Sequence, residues 1–166
     1  GEILLKEEND SIITGAEQVN KYYEWIQNKK VAIVANQTSI IGNSHLVDTL
    51  IKSGIKVTKV FCPEHGFRGE AEAGEKVGNY TDKKTGLKVL SLYGEKKKPQ
   101  PEDLKDVDIV LFDIQDVGAR FYTYISTLTL IMEACAENNI PLIVLDRPNP
   151  NGHYVDGPVL ETKFSS

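Results

Sequence analysis

Residues 31–38 read VAIVANQT: five apolar residues in a row, then an asparagine, a glutamine and a threonine. A short continuous apolar run is what a strand looks like when both of its faces are covered, the situation in parallel sheets. The same design recurs. Ile55–Phe61 is a second apolar strand, Leu87–Leu92 a third, Val107–Phe112 a fourth and Pro141–Leu145 a fifth. Between them the spacing changes to that of helices. Ser44–Ser53 (SHLVDTLIKS) predicts a helix closed by Gly54, which suits a position of positive φ. A long helix is expected from about Ala119 to Asn138, with Ile125, Leu128, Ile131, Met132 and Cys135 facing inward. Ahead of the first strand, Thr14-Gly15-Ala16-Glu17 has capping-box spacing, and Val19, Tyr22, Tyr23 and Ile26 follow at helical intervals to about Asn28-Lys29-Lys30.

Strands alternating with helices predict an α/β fold: a Rossmann-like, doubly wound, mostly parallel sheet with helices on both faces. The 166 residues suit a single domain of that kind spanning 1–166. The interval from Phe67 to Pro101 breaks the rhythm, being broken by glycines and offering one good strand. A loop of that length is usually functional.

Bulk composition narrows the function classes. Hydrophobic residues make up 40% and charged residues 26%, neither a disordered nor a membrane composition. The net charge of −5 speaks against a nucleic-acid surface, which needs a local excess of Lys and Arg. The densest basic run, Lys96-Lys97-Lys98 before Pro99, reads as a solvated loop. No apolar stretch reaches the ~18 residues of a membrane span, and no signal peptide is visible. Cys62 and Cys135 lie in apolar segments and read as small buried hydrophobes.

In open α/β sheets ligands bind beyond the carboxyl ends of the strands. After the first strand come Asn36-Gln37-Thr38; after the second, Glu64-His65; after the fourth, Asp113, Gln115 and Asp116; after the fifth, Asp146-Arg147-Pro148-Asn149-Pro150-Asn151. If the strands are parallel, these four polar clusters share one rim. The cofactor signatures are missing: no GxGxxG follows the first strand, and there is no GxxxxGK[ST], HExxH or GxSxG. Neighbouring Glu and His in an extended segment point opposite ways, so Glu64-His65 is poor evidence of a chelate, and no metal is assigned.

The residue types suit acid–base chemistry on a polar, uncharged substrate. A carboxyl group beside a hydrophobic wall keeps its proton longer and works as a general acid near neutral pH. Glu64 follows Val60-Phe61-Cys62, with Pro63 and Gly66 to fix an unusual backbone around it. The bland alternative makes Glu64 a turn residue paired with Arg68. Asp113 and Asp116 have equally plain roles as caps. Tyr122 and Tyr124 lie on different faces of a helix start, so one suits a site and the other packing. Arg120 near a helix N-terminus does nothing for the helix dipole, which gives it weight as a binder of a carboxylate. His45 and His153 read as surface residues, and Trp25 as packing for the first helix.

Three motifs now stand in order: Pro63-Glu64-His65-Gly66-Phe67-Arg68-Gly69, then 113–124 (DIQDVGARFYTY), then Asp146-Arg147-Pro148-Asn149-Pro150-Asn151-Gly152. With Asn36-Gln37-Thr38 they closely resemble the bacterial exo-β-N-acetylmuramidase family, over roughly Asn36 to Lys163. The resemblance implies a cofactor-free glycoside hydrolase that releases N-acetylmuramic acid from the non-reducing ends of peptidoglycan fragments, muramic acid–glucosamine disaccharides among them. It implies Glu64 as the leading catalytic residue beside His65. Asn36, Gln37, Arg68, Asp113, Gln115, Asp116, Arg120, Tyr122, Asp146, Arg147 and Asn149 would then bind or orient the sugar. The lactyl carboxylate needs a cation, for which Arg68, Arg120 and Arg147 are the candidates. It further implies a periplasmic or secreted setting, and a cleft closed by a C-terminal domain that this chain lacks. Cys62 before the proline departs mildly from the small residue expected there. The second catalytic group is left open: carboxyls about 5 Å apart mean retention of configuration, about 6.5–9.5 Å inversion, and the substrate's own acetamide is a third route. Two rivals from other classes are a non-catalytic cell-wall sugar-binding module and a metal-dependent phosphoesterase.

Overall fold

The computed structural model describes residues 22–63, 67–68, 79–92, 98–114, 121–145 and 159–160. It opens on a helix (α1) described over residues 22–26, which closes at Asn28 with φ 63°. The strands are β1 (Lys30–Ala35), β2 (Ile40–Ile41), β3 (Ser44–His45), β4 (Lys56–Cys62), β5 (Tyr80–Thr81), β6 (Lys88–Ser91), β7 (Ile109–Asp113), β8 (Leu142–Val144) and β9 (Val159–Leu160). Helix α2 is Leu46–Lys52, α3 is Pro101–Leu104 and α4 is Phe121–Glu137.

Among the described residues, seven strands form one sheet in the order β5-β6-β4-β1-β7-β8-β9. The five central strands pair in parallel, and β5 and β9 add antiparallel edges. In order of appearance the parallel strands run third, second, first, fourth, fifth, the doubly wound order. The expected fold class is therefore the observed one.

Period two explains why β1 is apolar from Val31 onward, after the exposed Lys30. Val31, Ile33 and Ala35 join the core under α1 and α2, with Tyr22, Ile26, Leu46, Val47 and Leu50. Ala32 and Val34 join the opposite core with Leu104 of α3 and Ile131, Ala134 and Cys135 of α4. A strand buried on both faces has no position left for a polar residue. Truncating Leu50, which is fully buried, should cost about 2–5 kcal/mol.

Several local expectations need correction. The helix expected from Ser44 starts at Leu46, because Ser44 and His45 pair antiparallel with Ile41 and Ile40. The φ of +90° at Gly54, just after the Ser53 cap, is the left-handed helix end expected there. Ile125 is 41% exposed and does not face inward. The buried stripe of α4 runs through Thr127, Ile131, Ala134 and Cys135, and Ile125 lies off that line. Trp25 is 38% exposed on the outer side of α1, while Tyr22 and Ile26 carry the packing. The long interval after Phe67 holds a second strand, β5, too short at two residues to leave a pattern. Lys98 is drawn out of the solvated loop by Glu133 and Glu137 of α4, at 2.5 and 2.9 Å. Cys62 and Cys135 are free and buried, as expected, and burial pushes the Cys135 thiol up to about 12.

Candidate active site

Because β4, β1, β7 and β8 are parallel neighbours, their last residues Cys62, Ala35, Asp113 and Val144 end on one rim. The chain therefore leaves the sheet at four neighbouring points, each just ahead of or within one of the four polar clusters of the sequence. Connections from β1 go out to β4 and β6 on one side, then return to β7 on the other. The reversal lies between β1 and β7, and the crevice at such a switch point is where ligands bind in open α/β sheets.

The β1 side of the crevice is a tight turn. Asn36 is nearly buried, and its Oδ1 accepts from Thr38 N at 2.8 Å and from Thr38 Oγ1 at 2.5 Å. Ser39 Oγ receives the Asn36 N–H at 3.2 Å and donates to the carbonyl of Asp113, tying the ends of β1 and β7 across the switch point. Asp113 closes β7 fully buried. Gln37 stands exposed at the tip of the turn.

His45, expected on the surface, is buried and sits at the centre of this side. One ring nitrogen, Nε2, lies 2.8 Å from the Asn36 carbonyl, and the other, Nδ1, accepts the Val47 N–H at 3.1 Å as the N-cap of α2. A carbonyl needs a donor and an N–H needs an acceptor, so the ring is neutral with its proton on Nε2. Burial lowers its pKa in the same sense. The ring meets Phe67 edge-on, centroids 4.8 Å apart. Phe67 is fully buried, three residues beyond Glu64.

Arg68 follows, with its guanidinium 4.7 Å from the Phe67 ring centroid. Nε and Nη2 donate to the two oxygens of Asp82 at 2.8 and 2.9 Å; Nη1 and Nη2 donate to those of Asp48 at 2.8 and 2.9 Å. Asp48 belongs to the first turn of α2 and also takes Lys84 Nζ at 3.2 Å. Asp82 is held by Thr85 as well, through its N–H at 3.0 Å and its hydroxyl at 2.5 Å. Hydrogen bonds from Arg68 bring the Asp48 carboxyl down to about 2. Burial raises Asp82, but the bonds from Arg68 and Thr85 outweigh it and the net shift is downward. These two carboxylates raise the Arg68 pKa. Among the described residues, Arg68 therefore gives four of its five N–H donors to these two carboxylates.

The two tyrosines lie in different settings, and Tyr124 has the packing role expected of one of them. Tyr124 packs edge-on against Phe112, centroids 5.5 Å apart, and Tyr122 is 86% exposed at the start of α4, beside the rim. Of the other expected site residues, Glu64, His65, Gln115, Asp116, Arg120, Asp146, Arg147 and Asn149 lie outside the described residues, as does His153. Ser39, His45, Asp48 and Asp82 were not among the expected site residues. The available signals were weak: a histidine ahead of the apolar Leu46-Val47 pair, and a turn signature in Asp82 to Gly86.

No group of three or more His, Cys, Asp or Glu among the described residues could hold a metal ion. No helix among them is long and apolar enough to cross a membrane. A groove of about 510 Å³ lies away from the rim, beside α3, lined by Lys59, Lys88, Lys105, Glu102, Asp103 and Asp106 among others. Its charges largely answer one another: Lys59 Nζ is 2.7 Å from Asp106 and 2.6 Å from the Asp103 carbonyl. The rim, with its unlike polar groups at a switch point, is the better candidate.

The comparisons with known proteins point the same way. Residues 31–166 match the family model described as exo-β-N-acetylmuramidase NamZ, N-terminal. The peptidoglycan β-N-acetylmuramidase NamZ of Bacillus subtilis is 51% identical over 150 residues, covering 87% of this chain and 36% of that protein. Two solved DUF1343-family proteins of Bacteroides fragilis are similar in structure. One has a TM-score of 0.70 at 46% identity, covering 94% of this chain and 40% of the other. The second has a TM-score of 0.72 at 42% identity, covering 84% and 35%. The chain thus spans well under half the length of these relatives, and it belongs to the exo-β-N-acetylmuramidase NamZ family, matching its N-terminal part.

Proposed function

We propose that the protein of which this chain forms part is an exo-acting β-N-acetylmuramidase that releases N-acetylmuramic acid from the non-reducing ends of peptidoglycan fragments. The observation that carries this reading is the shared rim. Parallel pairing sets β1 between β7 and the strand that leads into Pro63-Glu64-His65, so that the three strands end on one rim, in a chain of this family. Glu64 is the general acid. Its proton passes to the glycosidic oxygen as the bond from that oxygen to the anomeric carbon breaks, and water supplies the hydroxyl that the anomeric carbon gains.

The roles around it follow from chemistry and position. His65 flanks the acid. Asn36 and Gln37 from the β1 turn, Gln115 and Asp116 after β7, Tyr122 from α4, and Asp146 and Asn149 after β8 provide the amides, carboxylates and hydroxyl that sugar hydroxyls and an acetamide call for, while the buried Asp113 holds the end of β7. With Arg68 committed to Asp48 and Asp82, the lactyl carboxylate falls to Arg120 or Arg147. A peptidoglycan substrate suits a periplasmic or secreted protein, and the part of the relatives beyond this chain supplies the second wall of the cleft.

The test is product release. The full-length protein, incubated with a muramic acid–glucosamine disaccharide, should liberate free N-acetylmuramic acid, detected by chromatography and mass spectrometry, and should keep doing so in excess chelator. Binding without release would mark a sugar-binding module and overturn the proposal.

A further inference from the structure

Arg68 stands four residues after Glu64, and its partners come from two other parts of the chain. Asp48 is in α2, whose N-cap is His45, and His45 in turn holds the Asn36 carbonyl on the β1 turn. Asp82 is in the turn between β5 and β6, whose backbone is closed by Asp82 N to Leu87 O at 2.8 Å and Gly86 N to Asp82 O at 2.7 Å. Next to Arg68, Phe67 is sealed against His45. On the other flank, Cys62 is buried in β4 and its carbonyl accepts the Leu92 N–H at 2.7 Å. Cys62 on one side of the motif and Phe67 and Arg68 on the other are thus each held by other parts of the chain.

Charge and donor count say what Arg68 does there. A guanidinium has five N–H donors. Nε uses one, Nη2 two and Nη1 one, so four of the five are taken by Asp48 and Asp82. Among the described residues, Arg68 and Lys84 bring two positive charges and Asp48 and Asp82 two negative ones, so these four balance. The Asp82 side chain is 2% exposed and that of Arg68 only 18%, so the planar, bidentate geometry is enclosed and specific. A cation so neutralised has little attraction left for a substrate carboxylate.

We infer that Arg68, clamped by Asp48 and Asp82, is a positioning residue that anchors the chain four residues beyond Glu64 to α2 and to the β5–β6 turn, and that it does not touch the sugar. The inference rests on the muramidase reading. A displacement of about 1 Å at a reacting group can cost on the order of 10²-fold in rate. Loosening the clamp therefore lowers turnover while leaving recognition of the sugar intact.

The experiment measures kcat, KM and the pH profile of the full-length enzyme on chromogenic glycosides of muramic acid and of N-acetylglucosamine. The variants are Arg68→Gln, Arg68→Lys, Asp82→Asn and Glu64→Gln. Arg68→Gln and Asp82→Asn should each lower kcat by roughly 10–100-fold, with KM within about threefold. Both should move the alkaline limb of the profile, where the general acid loses its proton. Arg68→Lys, which keeps the charge but not the fork, should fall between. The inference is overturned if Arg68→Gln raises KM more than tenfold and erases the preference for muramic acid at unchanged kcat, or if the alkaline limb stays in place in both variants. Should Arg68→Gln fail to fold, Arg68→Lys and Asp82→Asn decide by the same readouts. The wild type and Glu64→Gln separate the two claims. If the wild type hydrolyses neither glycoside, the muramidase reading itself fails. If Glu64→Gln retains activity, Glu64 is not the acid and the clamp has no acid to position, whereas an inactive Glu64→Gln beside unaltered clamp variants rejects the clamp alone.

Discussion

Arg68 and Lys59 are both enclosed cations, one bound to the helix over one face of the sheet and one to the helix over the other, and they do different work. Arg68 spreads a planar guanidinium over two carboxylates from separate segments. Lys59 puts a point charge against Asp106, whose side chain is 51% exposed, and against a carbonyl. The first cluster joins the segment after β4 to α2 and to the β5–β6 turn. The second joins β4 to the end of α3 and goes no further. Geometry decides which cation organises a rim, since only the fork can bind two acids in fixed directions.

Breaking the Arg68 cluster should therefore have the largest effect. Arg68→Ala leaves Asp48 and Asp82 facing each other without their cation. The loss should be about 2–3 kcal/mol, below the range for a fully buried pair because Arg68 and Asp48 keep some solvent. Chemical denaturation of the full-length protein measures it. Acid probes the same cluster. A carboxyl held at about 2, against an ordinary 3.8, stabilises the fold fully above about pH 4 and ceases to as pH falls through about 2. Asp48→Asn should remove about 2 kcal/mol of stability at pH 7 and flatten the acid limb of the stability profile.

His45 sharpens the comparison on the other side of Phe67. Burial lowers its pKa, so its contribution is present above its ordinary value of 6.5 and is lost as pH falls below that. The melting temperature should drop between pH 7 and pH 5, and His45→Gln should shrink that drop. The Lys59 cluster gives the smallest effect. Asp106→Asn should cost about 0–1 kcal/mol, as exposed ion pairs do, and leave hydrolysis unchanged.

Much of the fold is legible because burial on both faces leaves a local mark. Val31–Ala35 and Val107–Phe112 can be nothing but covered strands, and their parallel pairing follows from the helices between them. Strands of two residues, such as Tyr80–Thr81, carry no period to read. The clamp is illegible for another reason. Asp48, Arg68 and Asp82 are 20 and 14 residues apart, and nothing local distinguishes a charged residue facing another from one facing water. His45 was misplaced for the same cause: its neighbours Ser44 and Asn43 are polar, while its own partners, Asn36 and Phe67, come from elsewhere. Of the site, the strand-end rule located the rim, and Asn36 and Asp113 are where it places them. The Pro63-Glu64-His65-Gly66 motif supplies the proposed acid.

The central claim is that Glu64 delivers the proton. The ratio of kcat/KM for Glu64→Gln to that of the wild type tests it, measured with the full-length protein on a chromogenic muramic-acid glycoside. The substitution keeps size and removes the acid, so the ratio should fall by at least 10²-fold. A loss of less than about tenfold would contradict the claim and move the acid to another residue of the rim.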